Sequence, residues 1–445
     1  MKRIKTSYLI ILLLMQFPNI SAMAQEKIWT LDGCIKYALS QNIQIKKTDL
    51  SNDRNQLYAV QAKANRLPSV SASVSENFNW YKGFDVATGG YGSSNGSNST
   101  NYSVNSNVSL FNGQKLNNKI KQAELDLESG HYYSEAVKES VGLSILNAYL
   151  QVLYADESVS NAQKQIEATT QQLNLAQERL DLSAISTSDY LQIKAELATE
   201  KSTLSTAQSQ FAIAKVTLMQ LMELPVDPNF KISSPNLDSL LVKTEQPDAQ
   251  TIYNLALGIK PQIKNVELTK EAAVLNVKIA KADAMPSLSM NAGLSSGYSS
   301  LTTESGYYSQ LKNKINPAIG LSLSIPIFQK RQIKTNISIA EIGITDAELD
   351  VVNTKNQLRK DIEQACVDVE TAKSGHAASL EQMQSSQESY DVTDEKLKVG
   401  LLNSVDFLVQ KTNLITSESK LLQSKFKLIF SYKILDFYKG IPLAL

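Results

Sequence analysis

From Val70 onward the chain alternates with a period of two. Val70, Ala72, Val74, Phe78 and Trp80 fall on one side, and Ser71, Ser73, Ser75, Asn77 and Asn79 on the other. Successive side chains of a strand point to opposite faces, so the pattern predicts a strand with one apolar face over about 69–81. Three more stretches read the same way. Tyr102, Val104, Val108 and Leu110 oppose Ser103, Asn105, Asn107 and Ser109, predicting a strand over about 101–111. Leu288, Met290, Ala292, Leu294 and Tyr298 oppose Ser287, Ser289, Asn291 and Ser295, over about 287–299. Ile319, Leu321, Leu323, Ile325 and Ile327 oppose Gly320, Ser322 and Ser324, over about 317–328.

Segments of about ten residues, small and polar on one face and aliphatic or aromatic on the other, suit the wall of a transmembrane barrel around a wet lumen. A soluble antiparallel sheet packed on a helix alternates in the same way. The loop that joins the first pair, Gly89-Gly90-Tyr91-Gly92-Ser93-Ser94-Asn95-Gly96, is polar and flexible, which favours an outer surface over a buried connection. Four strands cannot close a barrel, and an open edge leaves backbone groups unsatisfied in lipid. The chain must therefore oligomerise. Three copies give twelve strands, although the sequence demands closure without itself fixing the number.

The period then changes. After Gly113 no Pro interrupts the chain until Pro225, and a seam with alternating steps of four and three runs through Val141, Ile145, Ala148, Val152, Ala155, Val159, Ala162, Ile166, Thr169, Leu173, Ala176 and Leu180. This is the spacing of a left-handed coiled coil. Ile193, Leu197, Leu204, Ala207, Phe211, Ala214, Leu218 and Leu221 form the returning seam, so a long antiparallel hairpin occupies about 113–224, with its tip at Leu182 to Thr187. A second, more polar seam runs from Leu358 through Ile362, Ala365, Val369, Ala372 and His376 to Leu397, within a hairpin over about 329–439 whose tip lies at Val399 to Asn403.

The second half restates the first. Pro68-Ser69 matches Pro286-Ser287 at an offset of 218, and Phe111 matches Phe328, and Asp189 matches Asp406, at 217. The predicted organisation is a repeat over 25–225, a linker with Pro228, Pro235 and Pro247 over 226–247, a second repeat over 248–442 and a tail at 443–445. Ahead of these stands a segment with Lys2, Arg3 and Lys5, an apolar run from Tyr8 to Phe17, and Ala22-Met23-Ala24. It predicts a secretory signal peptide over 1–24, since ten apolar residues are about half of what a spanning helix needs.

Composition narrows the function. The chain holds 44 basic and 44 acidic residues; its leader takes three basic ones, leaving 41 against 44, a net charge of −3. That balance offers no footprint for nucleic acid. The two cysteines, Cys34 and Cys366, lie far apart within helical patterns and are read as lone packing residues. Leu31-Asp32-Gly33-Cys34 loosely echoes a lipoprotein cleavage box, but it stands well past the leader and has Asp where a small residue is wanted. Gly293-Leu294-Ser295-Ser296-Gly297 spells a nucleophile elbow at the end of an alternating strand, where that motif needs a strand-to-helix turn and a His partner. No Cys/His spacing fits a metal and no phosphate loop occurs, so neither catalysis nor a cofactor is expected.

The leader, the tandem copies, the two strand pairs and the two hairpins together resemble the TolC family of outer membrane factors over essentially the whole chain past the leader. The most specific match is Lys396-Leu397-Lys398-Val399-Gly400-Leu401-Leu402-Asn403-Ser404-Val405-Asp406-Phe407-Leu408, in which a Gly turn precedes an Asp by six residues. The resemblance implies a mainly α fold with a β-barrel part. It implies a homotrimer in the outer membrane of a Gram-negative bacterium, with a twelve-stranded barrel in lipid above a periplasmic helical tunnel. Its partners would be a periplasmic adaptor and an inner-membrane transporter, and its role the passive conduit of tripartite efflux or type I secretion. Asp406 and Asp189 would border the periplasmic aperture; Leu182, Ser183, Ala184, Val399, Gly400, Leu401, Leu402 and Asn403 would form the adaptor-docking tips. Both Asp residues also fit as caps of the returning helices. Ser183 stands where the match to Gly400 calls for Gly, and Val409 where some members carry a second aperture Asp. The alternative function is the adaptor itself, for which one hairpin would suffice and the four amphipathic strands would have no purpose.

Overall fold

The computed structural model describes residues 28–87, 89–235, 237, 241, 248–302 and 306–445. The predicted leader and much of the linker lie outside them. In chain order the elements are β1 (Ile28–Trp29), α1 (Leu31–Gln41), α2 (Ile43–Ala64), β2 (Ser69–Asp85), β3 (Gly90–Phe111), α3 (Lys115–Asp181), α4 (Thr187–Leu221) and β4 (Lys231–Ile232). There follow α5 (Ala249–Ile259), α6 (Pro261–Ala282), β5 (Ser287–Ser299), α7 (Tyr307–Asn313), β6 (Asn316–Ser324), α8 (Gln332–Lys398) and α9 (Ser404–Tyr438).

Local chemistry sets the helix starts. The Thr30 hydroxyl accepts from the Gly33 amide, the Asn42 side chain from those of Gln44 and Ile45, and the Asp248 carboxylate from those of Gln250 and Thr251. Each satisfies amides that the first turn leaves without a partner. Pro261 opens α6, where its fixed φ suits a helix and its missing N–H costs nothing. Cys34, in the expected packing role, is a buried thiol of α1.

β2, β3, β5 and β6 form one antiparallel sheet in that order, so β2 and β6 are its open edges. The register puts Val74 beside Tyr102 and Ala72 beside Val104. Val104 in turn faces Leu294, and Leu294 faces Pro317. One face of the sheet is therefore apolar across all four strands, and the other carries Ser71, Asn105, Asn291 and Gly320.

Three details differ from the sequence expectation. β6 ends at Ser324 rather than near 328, because Pro326 has no N–H to offer a ladder. The stretch 90–96 is strand, not loop: Trp80 pairs with Gly96 and Phe84 with Tyr91. The second pair is joined through the short helix α7, which alternation in its flanks does not announce.

Above the long hairpins the helices stand in a row. α2 packs on α3 through Ser134 Oγ, which donates to Asp49 at 2.7 Å, and the Lys63–Glu124 ion pair at 2.8 Å. α6 bridges α3 and α8: Asn265 Nδ2 donates to the Ser129 carbonyl at 2.8 Å, and Lys355 pairs with Glu267 at 2.9 Å. The row α2–α3–α6–α8 thus ends in α2 and α8, the same two sides on which the sheet ends in β2 and β6.

Each 67-residue helix, α3 and α8, extends about 100 Å and returns through a 35-residue partner, α4 or α9. The predicted seams are the buried ones near mid-height, with Ile145, Val152, Leu358, Ile362 and Val369 all inaccessible or nearly so. α1 lies over the first core and α5 over the second. Tyr149 anchors the first core to the repeat junction, its hydroxyl donating to the Ser233 carbonyl at 2.6 Å and lying 3.2 Å from that of Trp29. Replacing Tyr149 by Phe takes the hydroxyl from both carbonyls, of which that of Trp29 keeps the Ser233 N–H at 2.8 Å, and should lower stability by about 1 kcal/mol in denaturant unfolding of the solubilised protein. An unchanged midpoint would mean that water already serves them.

Candidate functional site: the paired hairpin tips

Both long helices end by the same device. Ala184 N donates to the Arg179 carbonyl at 2.8 Å and Ser183 N to that of Leu180 at 2.8 Å. In the second copy Leu401 N donates to Lys396 at 2.9 Å and Gly400 N to Leu397 at 3.1 Å. This is a Schellman closure, which needs a left-handed residue after the helix. Gly400 supplies it at φ 75° and Ser183 at φ 57°, so the first copy adopts the turn despite having a β-carbon there. A left-handed residue other than Gly costs about 1–2 kcal/mol.

The returning helices start on capping pairs. Ser186 Oγ accepts from the Asp189 amide at 3.1 Å, and the Asp189 carboxylate accepts from the Ser186 amide at 3.3 Å. Asn403 Oδ1 accepts from the Asp406 amide, and Asn403 Nδ2 donates to the Asp406 carboxylate, both at 2.9 Å. Each carboxylate thereby sits at the positive end of a helix dipole. Asp189 thus shares in capping its helix, whereas in the second copy Asn403 is the cap and the Asp406 carboxylate bonds only the Asn403 side chain.

The two tips of the protomer lie side by side. Arg179 donates to the Lys398 carbonyl at 3.2 Å, and a cleft of about 720 Å³ separates the tips, lined by Ser183, Ala184, Asp189, Val399, Gly400 and Asn403 among others. Asp189 faces this cleft, whereas Asp406 is solvent-exposed. Leu182, Val399 and Leu401 project from the ends, each more than two-thirds exposed. Apolar side chains left bare at the far end of a hairpin are unusual unless something covers them.

The outer membrane efflux protein family matches residues 34–223 and 252–429, which takes in both copies with their strands. The chain belongs to that family. Among its relatives, the outer membrane efflux protein BepC of Brucella suis is 25% identical over 333 residues, covering 74% of this chain and 70% of BepC. Toxin and drug export protein A of Aggregatibacter actinomycetemcomitans is 23% identical over 409 residues, covering 90% and 83%. The outer membrane channel CmeC of Campylobacter jejuni has the same fold, with a TM-score of 0.77 at 18% identity over 92% of this chain and 85% of that one. This outer membrane efflux protein is accordingly a channel component of the outer membrane with a large periplasmic helical part. The adaptor alternative is not favoured, since the match includes the strands that an adaptor would not use.

One constellation of the efflux protein is absent from the predicted site residues. Glu200 of α4, Lys411 of α9 and Thr169 of α3 meet inside the junction between the hairpins, Glu200 only 6% exposed and Lys411 1%. Lys411 Nζ lies 2.9 Å from Glu200 Oε1 and donates to Thr169 Oγ1, while neither Glu200 oxygen accepts a well-aligned hydrogen bond. The signal was available: Glu200 falls in phase between Leu197 and Leu204, and a charge on an apolar seam implies a buried partner.

Lys411→Met alone leaves a buried carboxylate unpaired and should cost about 3–5 kcal/mol, whereas adding Glu200→Leu should restore most of it. Unfolding of both variants checks this, and a double variant no better than the single would show that the pair is not the reason. At the tips the two copies should respond with opposite signs. Gly400→Ala should destabilise its turn by about 1 kcal/mol and Ser183→Gly stabilise by a similar amount, read by amide exchange at Leu401 and Ala184.

Proposed function

We propose that three copies close into one duct, that the hairpin tips form its periplasmic end, and that Asp406 and Asp189 border the aperture there. The observation that carries this reading is the coincidence of open edges. β2 and α2 lie on one side of the protomer and β6 and α8 on the other, so a head-to-tail ring joins strand to strand and helix to helix at a single seam. Heterologous contacts of this kind close by rotation.

The helices bear the marks of such a seam. Leu50, Leu57 and Val60 stand exposed on α2, and Ile339, Ile342, Leu349 and Val352 on α8, each more than half exposed. In both sets the residues recur at steps of three or seven, which places them along one helical face. The sheet's Ser and Asn face becomes the lumen and its apolar face meets lipid, the arrangement that leaves no backbone group unpaired in the bilayer.

A duct has no energy source of its own, so transport depends on an inner-membrane transporter linked by a periplasmic adaptor. The adaptor docks on the exposed tips, Leu182, Ser183 and Ala184 in one hairpin and Val399, Gly400, Leu401, Leu402 and Asn403 in the other. Toxin and drug export is named for one relative. A polar lumen selects weakly, so the choice among drug, metal ion and protein cargo lies with the transporter.

Mass in detergent and single-channel conductance test the reading together. A trimer that conducts, loses its trimeric mass on Ile342→Asp and changes conductance on Asp406→Ala supports duct, seam and aperture. A non-conducting monomer, or an Asp406→Ala channel identical to the parent at low salt, removes the corresponding part.

A further inference from the structure

The apolar face of the sheet is interrupted on two adjacent rungs, Glu76–Thr100–Tyr298 and Val74–Tyr102–Ser296. In phase with Val74 and Phe78 stands Glu76, and in phase with Leu294 and Tyr298 stands Ser296. Glu76 is not bare: its carboxylate accepts from Thr100 Oγ1, and from Asn98 Nδ2 at 3.3 Å. Below these rungs lie Ala72, Val104, Leu294 and Pro317, and then Val70, Ala292 and Ile319, an apolar stretch broken only by the Ser106 hydroxyl. A carboxylate on the lipid-facing side marks where hydrocarbon gives way to headgroups, since its cost in lipid falls to little only near the interface.

α7 is seated at this level, on the apolar face. Ser296 Oγ donates to the Leu311 carbonyl at 2.5 Å, the Tyr102 and Tyr307 hydroxyls are 2.7 Å apart, and the Tyr298 and Tyr307 rings are 4.9 Å apart. Gln310 is buried beneath the helix, its amide accepting from the Ser299 N–H at 3.0 Å and donating to the Ser299 carbonyl at 3.2 Å. Side-chain amide and strand backbone thus pair as two strands would, which fixes α7 to the end of β5.

So fixed, α7 turns Tyr308 and Lys312 outward, one helical turn apart, with Tyr308 85% exposed. Between them and the sheet is a shallow, wide-open notch lined by Tyr102, Ser296, Tyr308, Leu311, Lys312 and Ile315, mostly carbon in character. The notch opens onto the lipid-facing band, and Lys312 is one of the residues that line it. Tyr rings are at home at a membrane interface, and a Lys there reaches the phosphate layer.

We propose that this notch binds one phosphate-bearing lipid, an acyl chain in the groove against Leu311 and Ile315, and the headgroup phosphate on Lys312 with the Tyr308 hydroxyl beside it. The first copy has no counterpart: its strands run on past this level to Phe84 and Tyr91. A ring of three copies therefore carries three such sites. The inference rests on the duct reading for the lipid-facing side of the sheet.

The full-length protein is reconstituted into phosphatidylcholine bilayers doped with phosphatidylglycerol, extracted mildly, and its retained lipid counted by native mass spectrometry. Retention of phosphatidylglycerol should fall about fivefold in Lys312→Gln, consistent with the worth of one Lys at an anionic surface. It should persist in Lys312→Arg and in the periplasmic control Lys194→Gln, and phosphatidylcholine retention should not change. Equal phosphatidylglycerol retention in Lys312→Gln and parent, in channels that conduct normally, overturns the site while leaving the duct intact. Displacement of the lipid by inorganic phosphate at similar concentration also overturns it, because the groove then contributes nothing. Failure to insert and conduct at all strikes the duct reading instead.

Discussion

In hydrocarbon no water exists to take up an unpaired N–H or carbonyl, so a sheet that ends in the membrane is unstable at its edges. β2 and β6 are such edges, and most of what distinguishes this chain answers to them. The rows of small polar and apolar side chains decide which face sees lipid. The helices that precede β2 and follow β6 carry the exposed apolar stripes, so in the proposed ring the seam that pairs the strands would also cover those helices. On that reading assembly is set by the requirement at the edge, and contacts between helices add to it.

Duplication makes that seam possible, and the backbone shows how strictly the second copy follows the first. The long helices of the two copies have bounds related by an offset of 217, as do the left-handed residues: Gly113 with Lys330, Gln114 with Arg331, Ser183 with Gly400 and Glu223 with Gly440. Three of these pairs hold Gly in one copy and a bulkier residue in the other. The conformation is therefore imposed by the surrounding fold at each place, and the cost of a β-carbon there is carried by the rest of the structure.

Regular periodicity was the legible part of the sequence: the alternating strands, the seams and the repeat follow from spacing, while the turn at Gly400 came from the resemblance of the tip motif. What spacing concealed lies at its interruptions. Glu76, Ser296, Glu200 and Lys411 each occupy an apolar phase, and a count of matching positions passes over them as exceptions. Each is explained only by a residue distant in sequence: Thr100 for Glu76, the carbonyl of Leu311 for Ser296, and Glu200 with Thr169 for Lys411. The interruption itself is visible in the local pattern, but the identity of the partner that explains it is not. The short α7 was hidden for a related reason, since it is held by Gln310 and the sheet backbone and by no stripe of its own.

The two copies have also divided their tasks. The first hairpin has the drier seam and the second the more polar one, with His376, Ser379 and Ser386 where the first has Val159, Ala162 and Thr169. A less apolar seam holds its helices less firmly and specifies their alignment less sharply. Lys411 belongs to that second hairpin, and its carboxylate and hydroxyl partners both come from the first. A buried ion pair adds little net stability, but a slipped register would strand both charges, so it discriminates strongly against misalignment. The more weakly packed hairpin is thus indexed against the better packed one, about 18 Å from the tips at 1.5 Å per residue, and the level of Asp406 relative to Asp189 follows from that indexing.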